Sequence, residues 1–460
     1  MKIGFVSLGC PKNLVDTEVM MGLLVSRGHQ LTPHPEEAEA LVVNTCSFIG
    51  PAQQESVDTI LEMAEFKRTG CARRLVVAGC LVERYGEEIR AQVPEVDAVV
   101  GTNQVEDILA ACEGGVVRSD AKRPYLYRES TPRVLATPRH YAYVKIAEGC
   151  DHPCTFCIIP QLRSRFRSRK PKSIVAEAEA LLAQGVREIN LVGQDTTSYG
   201  EDLGLKNGLA NLLTRLARIE TPDEKWIRFL YAYPNRITGK LLDALAGHAA
   251  LVKYIDMPLQ HASADVLKRM KRGASGEIFL KLVERIRRTV PGVALRTSMI
   301  VGFPGESESD FEELCRFVEA ARFDHLGVFA YSDEETSRSY RLAHKVDRRT
   351  IYNRRRRLMS IQRKISRARL RLRLGEETSV LVEGPSPETE LLWQGRLPGQ
   401  APDIDGVCLI NDCVGRAPRP GEIRRFRVTG SHDYDLVGTI LEGGDQVAPE
   451  PFRILPQHRP

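Results

Sequence analysis

Cys150, Cys154 and Cys157, in the stretch EGCDHPCTFCIIP from Glu148 to Pro160, stand at C-x3-C-x2-C spacing. Three thiolates this close together can grip one inorganic centre. Structural zinc takes four ligands in a closed tetrahedron, usually from two C-x2-C knuckles; here the first gap is three residues and no second knuckle follows. A 4Fe-4S cubane normally takes four thiolates, so a site offering three leaves one iron open to an outside ligand, and chemistry can happen at that iron.

A second set is spread along the chain. The segments KIGFVSLGC, ALVVNTC and RLVVAGC each read as a buried parallel strand ending on a cysteine, at Cys10, Cys46 and Cys80. Helical stretches NLVDTEVMMGLLVSRG and AQQESVDTILEMAEF lie between them, giving β-α-β-α-β with a parallel sheet. Right-handed crossovers place all three strand ends on one rim, so the three cysteines are expected to converge there. A single free cysteine is often only a small buried hydrophobe. Three at equivalent strand ends point to metal ligands.

The chain that positions these residues has 460 residues, 42% hydrophobic and 27% charged, enough for about three globular domains. No stretch approaches the ~18 apolar residues of a membrane span, and the N-terminus lacks a signal-peptide pattern, so the expected compartment is the cytosol. There, eleven cysteines are better explained by metal or catalysis than by disulfides. After a linker rich in charge and proline, a second series begins with YAYVKIAEG, EINLVGQD, WIRFLYAYP, YIDMPLQHAS, ALRTSMIVGFPGE and HLGVFAYS as strands. Six strand-helix units predict a partial TIM-like (β/α)6 barrel, whose C-terminal strand ends offer Cys150, Gln194, Asp195, Tyr231, Tyr233, Gln260, His261 and the turn GFPGE. Glycine in that turn lets a ligand come close to the backbone. His261 reads as a satisfied structural histidine.

Residues 338–373 hold fifteen Lys and Arg against Asp347 alone and read as a basic helix, of the kind that marks a solvated face or a nucleic-acid contact. Residues 374–460 hold fourteen Asp and Glu against eight Arg. The short strands TSVLVEG, LLWQGR, GVCLI and EIRRFRVTG predict a small antiparallel barrel with Cys408 and Cys413 in its core. The overall expectation is an α/β protein divided as 1–115, a linker 116–138, a partial barrel 139–337, a basic helical connector 338–373, a small barrel 374–443 and a tail 444–460. Two other classes fit parts of the pattern. An electron-transfer protein would need no six-unit barrel and would close each cluster with a fourth thiolate, and a nucleic-acid module with structural metal leaves the N-terminal cysteines idle.

With both cysteine sets in place the chain resembles the radical S-adenosylmethionine methylthiotransferases along nearly its whole length. The Cys150, Cys154, Cys157 triplet matches the superfamily motif, which implies that S-adenosylmethionine chelates the open iron through its amino and carboxylate groups. The resemblance also implies a second 4Fe-4S cluster at Cys10, Cys46 and Cys80, a six-unit partial barrel and a C-terminal TRAM domain. SLGCPKNLVD at Ser7–Asp16, CTFCIIP running on to FRSR, and QAPDIDGV at Gln400–Val407 resemble members that methylthiolate an aspartate of ribosomal protein S twelve. Members acting on transfer-RNA adenosine typically read GCQMN in place of GCPKN. The resemblance implies one S-adenosylmethionine as methyl donor and a second cleaved to a radical that removes hydrogen from the aspartate β-carbon. It further implies a low-potential donor such as flavodoxin or ferredoxin. Gln194, Gly302, Pro304 and Gly305 are the expected S-adenosylmethionine contacts. One departure stands out: Ser164 follows Arg163 where the family commonly has glycine. An acidic terminal barrel suits a basic ribosomal protein, with Asp403 and Asp405 as expected contacts.

Overall fold

The computed structural model describes residues 1–117 and 125–441. The N-terminal domain is a parallel five-stranded sheet of order β2-β1-β3-β4-β5, from β1 (Lys2–Ser7), β2 (Gln30–Thr32), β3 (Ala40–Thr45), β4 (Arg74–Gly79) and β5 (Ala98–Val100). Helices α1 (Pro11–Ser26), α2 (Gly50–Thr69), α3 (Cys80–Gln92) and α4 (Ile108–Glu113) connect and cover it. The sequence predicts β1, β3 and β4. The edge strands β2 and β5, three residues each, are too short to show a period. β3 is buried along its whole length, as a central parallel strand covered on both faces must be.

Six parallel strands follow in chain order as an open arc: β6 (Tyr141–Lys145), β9 (Glu188–Val192), β10 (Trp226–Phe229), β11 (Tyr254–Asp256), β12 (Ala294–Val301) and β13 (His325–Ala330). Among the described residues no ladder joins β6 to β13. The ladder also thins between β10 and β11, where the contacts are a bridge from Ile227 to Leu251 and a bond from Ala232 N to Asp256 O at 2.8 Å. A small ribbon of β7 (Ala147–Glu148) and β8 (Arg167–Ser168) and the short α5 (Ile159–Arg163) brace the cysteine loop. Helices α6 (Pro171–Ala183), α7 (Gly208–Ala217), α8 (Gly239–Gly247), α9 (Ala264–Arg269), α10 (Gly276–Thr289) and α11 (Glu308–Ala321) cover the outer face. Alternation decides which side chain goes where. Val144, Ile189, Leu191, Ile227, Phe229 and Ile255 meet the helices, while Tyr143, Trp226 and Tyr254 join a different core that runs into the N-terminal domain through Val15, Val19 and Leu24 of α1.

The basic segment is α12 (Arg348–Arg371), capped by the Asp347 side chain on Thr350 N. Much of its charge is already paired: Arg354 with Glu306 and Glu308, Arg357 with Glu312, Arg369 with Asp324 and Arg367 with Asp433. The helix is a strut between the partial barrel and the last domain. That domain closes as a barrel of order β14-β15-β16-β18-β17, from β14 (Glu377–Ser386), β15 (Thr389–Arg396), β16 (Cys408–Cys413), β17 (Ile423–Ser431) and β18 (Leu436–Ile440). It departs from the expected all-antiparallel barrel because β16 and β18 run parallel. Cys408 is buried in its core and Cys413 packs against that core.

Between β15 and β16 a loop reaches into the N-terminal ends of the six strands, and it corrects the expectation for Asp405, while Asp403 stays exposed. Asp403 accepts hydrogen bonds from Tyr141 and Tyr143, and Asp405 accepts one from Tyr254 at 2.7 Å while facing Arg296 and His325 at 3.4 Å. The Asp405 side chain is 1% exposed, so it is closed to a docking partner. Beside it, Glu188 bridges two guanidiniums, Arg228 Nε at 2.9 Å and Arg396 Nη2 at 2.6 Å, all three buried.

Candidate functional site at the domain seam

At the opposite end of the strands the cysteines come together. Cys10 caps α1, its carbonyl accepting from Asn13 N and Leu14 N. Cys46 follows β3, and Cys80 follows β4 and opens α3. Gly9, at φ +89°, lets these turns close: a Cβ there would lie 2.8 Å from Cys46 Cβ and 3.1 Å from its Sγ. Asn13 ties the rim by donating to Leu8 O and Thr45 O, and Asn44 donates back to Asn13 O. The thiols are close enough to act on one another electrostatically. Burial pushes the Cys80 thiol up to about 12, with Cys10 and Cys46 adding to the rise. Burial would raise Cys10 too, but the Lys12 ammonium and the Arg163 guanidinium hold it below its ordinary value.

The second trio lies across the seam. Burial raises Cys150 to about 11 and Cys157 to about 12, each pushed further by Cys154. Arg272 donates to Cys154 Sγ at 3.7 Å and also to Pro258 O, and Arg163 donates to Cys80 Sγ at 3.4 Å. All six cysteines are free thiols. The donor sets fit iron-sulfur clusters on two counts. The raised thiols of Cys46, Cys80, Cys150 and Cys157 stay neutral until a positive inorganic centre displaces their protons, and each trio has an arginine donating to one sulfur. Among the described residues no group of three His, Cys, Asp or Glu stands close enough to hold a single metal ion.

Between the trios runs the segment 231–233, at the C-terminal end of β10. The Tyr231 ring lies under Lys12, with Nζ 3.3 Å from the centroid, on the Cys10 side. The Tyr233 ring stacks on His152 at 3.8 Å and lies under Arg272 at 4.3 Å, on the Cys150 side. His152 Nε2 is 2.6 Å from Asp195 Oδ2, and Asp195 is held low by this bond and by Ser198 and Thr197 despite its burial.

A buried ionic chain locks the domains together. Arg163 pairs with Asp16 at 2.5 Å and donates to Asn13 Oδ1 at 2.9 Å, and Lys145 pairs with Asp16 and with Glu148 at 2.6 Å. Burial alone would raise Glu148, but Lys145 and Arg163 bring it down to about 2. Gln194 donates to Glu148 at 2.6 Å, and its buried Oε1 has no protein partner. The other expected ligand contacts are engaged within the protein. Gly302 N and Phe303 N donate to Glu306, Gly305 N donates to His344 O, and a Cβ on Gly302 (φ +81°) would lie 2.3 Å from Ile351 of α12. The glycine there makes room for a helix. His261 is fully buried, its Nδ1 accepting from Ser263 N, in keeping with a structural role.

Ser164 sits at φ +60°, ψ −165°, a region that side chains avoid, which explains the usual glycine. Its carbonyl accepts from Cys150 N at 3.3 Å, so the strained residue holds the start of the cysteine loop. Lys12, Asn13, Asp16, Lys145 and Arg272 line the candidate site and were not singled out by the sequence reading. The signal for the first three lay inside GCPKNLVD, where polar residues at helix positions with buried neighbours needed partners.

Comparison with known proteins agrees with this geometry. Residues 2–101 match the model of uncharacterized protein family UPF0004, residues 144–318 the radical SAM superfamily, and residues 374–441 the TRAM domain. The chain is 69% identical over 99% of its length, and 97% of the relative's, to the ribosomal protein uS12 methylthiotransferase RimO of Solibacter usitatus. It belongs to the RimO family. A RimO of Koribacter versatilis is 54% identical, covering 96% of each chain. The protein is thus a radical SAM methylthiotransferase, with the parallel-sheet domain, radical SAM core and TRAM barrel of RimO relatives. The radical S-adenosylmethionine methyltransferase TsrM of Kitasatospora setae shares the fold at 16% identity, with a TM-score of 0.54 over 71% of this chain and 72% of its own. Among the described residues no helix is long and apolar enough to cross a membrane.

Proposed function

We propose that the protein methylthiolates the β-carbon of an aspartate in ribosomal protein uS12, with Cys150, Cys154 and Cys157 holding one 4Fe-4S cluster and Cys10, Cys46 and Cys80 a second. The relatives' names supply the substrate. The observation that carries the assignment of the site is the meeting of two cysteine trios at one seam, on either side of the segment 231–233. When bound, the clusters and S-adenosylmethionine supply the one-electron chemistry, the methyl group and the sulfur.

The chain's own residues hold and orient. Arg163 and Arg272 donate to thiol sulfurs and fix the faces of the two trios. His152, clamped between Asp195 and the Tyr233 ring, forms a rigid wall beside Cys150. Gln194, steadied through Nε2 by Glu148, presents a free amide oxygen that can accept from the ammonium of S-adenosylmethionine. Gly302, Pro304 and Gly305 remain candidate S-adenosylmethionine contacts by position alone, in a turn whose backbone shape is set by Glu306. The buried ionic chain excludes water from the seam. A low-potential flavodoxin or ferredoxin is the electron donor this chemistry calls for.

Mass spectrometry of uS12 and of bulk transfer RNA from cells with and without the gene tests the reading. Loss of a methylthio increment from an aspartyl peptide of uS12 is expected. Loss of methylthiolated adenosine from transfer RNA, with that peptide unchanged, would overturn it in favour of the transfer-RNA activity.

A further inference from the structure

Lys12, like Arg272, is a buried cation of the seam with no carboxylate partner among the described residues; the acidic neighbour it faces is the Cys10 thiol. The Lys12 side chain is 7% exposed. The nearest carboxylates of the seam are committed elsewhere, Asp16 to Lys145 and Arg163, and Glu148 to Lys145. Its close partner is the face of Tyr231, whose quadrupole offsets only part of the cost of taking an ammonium out of water. Of the neighbouring thiols, Cys80 accepts from Arg163 at 3.4 Å, and Cys10 is shared between Lys12 and Arg163, so Lys12 is not committed to a thiol alone.

The position of this cation narrows what can answer it. It stands beside Cys10, while two residues along the chain from its aromatic partner Tyr233 stands beside Cys150 and Cys154. A reaction that joins sulfur from one trio to a carbon activated at the other must seat that carbon between them. An aspartate carries its carboxylate one bond from the β-carbon. We infer that the Lys12 ammonium binds the side-chain carboxylate of the substrate aspartate and so decides which carbon faces the two sites. This inference rests on the uS12 reading above. A charge-assisted bond in a buried seam distinguishes an acid from its amide, because the amide leaves the ammonium unanswered.

The test measures binding of fluorescently labelled uS12, and of uS12 with its target aspartate changed to asparagine, to the anaerobic holoenzyme. The wild type should bind the aspartate form about 10- to 100-fold more tightly. Lys12→Met, which keeps length and removes charge, should bind both forms alike and at the asparagine level, with its iron content confirming that both clusters are present. A wild type that binds the two forms equally overturns the inference without recourse to any variant, and so does a Lys12→Met enzyme that keeps the preference. If the wild-type enzyme does not methylthiolate uS12, the functional reading fails and the inference with it. If uS12 is methylthiolated but no preference for the acid exists, the inference alone fails.

Discussion

Replacing Glu188 by glutamine should loosen the C-terminal barrel from the rest of the molecule while leaving the barrel itself folded. Glu188 is the shared carboxylate of Arg228 and Arg396, at 2.9 and 2.6 Å, and none of the three sees water. Without its charge Arg396 keeps Glu383 at 2.6 Å, but Arg228 is left with the Gln400 carbonyl and the Tyr254 ring. Stranding one buried charge in this way costs about 3–5 kcal/mol. Hydrogen exchange reads that energy directly where opening is local. Amides of the docking loop around Gln400 and Ala401, bonded to Leu397 O and Asp405, should exchange about 10²- to 10⁴-fold faster. Barrel-core amides such as Val382 and Val428 should be unchanged. Glu188→Gln combined with Arg228→Met removes the stranded charge and leaves the Arg396–Glu383 pair, so it should recover at least about 1 kcal/mol over the single variant. A change of less than tenfold at the loop, or a double variant worse than the single by the full cost of a second loss, would refute the reasoning.

Alanine at Cys150, Cys154 and Cys157 should abolish S-adenosylmethionine cleavage and halve the iron content, whereas alanine at Cys10, Cys46 and Cys80 should spare cleavage and stop methylthio transfer; product analysis with iron assay separates the two. Ser164→Gly should be more stable than Ser164→Ala by about 1 kcal/mol in chemical denaturation, because alanine keeps the strain at φ +60° and both lose the bond from Asn103. His261 and Glu306, 3.7 Å apart, should pull stability in opposite senses with pH. Burial lowers His261 to about 3, so its contribution is present above its ordinary value near 6.5 and is lost as pH falls below that; burial raises Glu306 to about 6, so its contribution is present below its ordinary value near 4.5 and is lost as pH rises through 6. Between pH 6.5 and 5, His261→Asn should therefore gain stability on acidification and Glu306→Gln should lose it, at up to about 1.4 kcal/mol per pH unit, as followed by denaturant midpoints.

Both cysteine trios and the six parallel strands of the arc were legible in the sequence because each rests on local patterning: apolar runs, which for the three-residue β11 continue past the strand through Met257 and Leu259, and cysteines or turns at their ends. What lay hidden depended on which side chains face each other across domains. Lys145 looks like an ordinary strand residue in YAYVK, yet it points into the arc and pairs with Asp16, 129 residues away. APDIDG reads as an exposed acidic turn, and nothing in its composition reveals the tyrosines and arginine that enclose Asp405. The edge strands β2 and β5 and the parallel β18 were missed because strands of three to five residues carry too few alternations. The departure at Ser164 was visible as a letter, but its meaning came from the backbone angle.

The loop that carries Asp403 and Asp405 behaves as a cork in the base of the open arc, and this limits how freely the protein can be taken apart. A chain ended before Glu377 would leave Glu188, Arg228, Tyr254 and Arg296 facing water in a cleft shaped for other partners. A terminal barrel grafted from a distant relative would fit only if its loop brought the same carboxylates to the same tyrosines. Exchange of modules between such enzymes is therefore governed less by the barrel's own sheet than by about ten residues between its second and third strands.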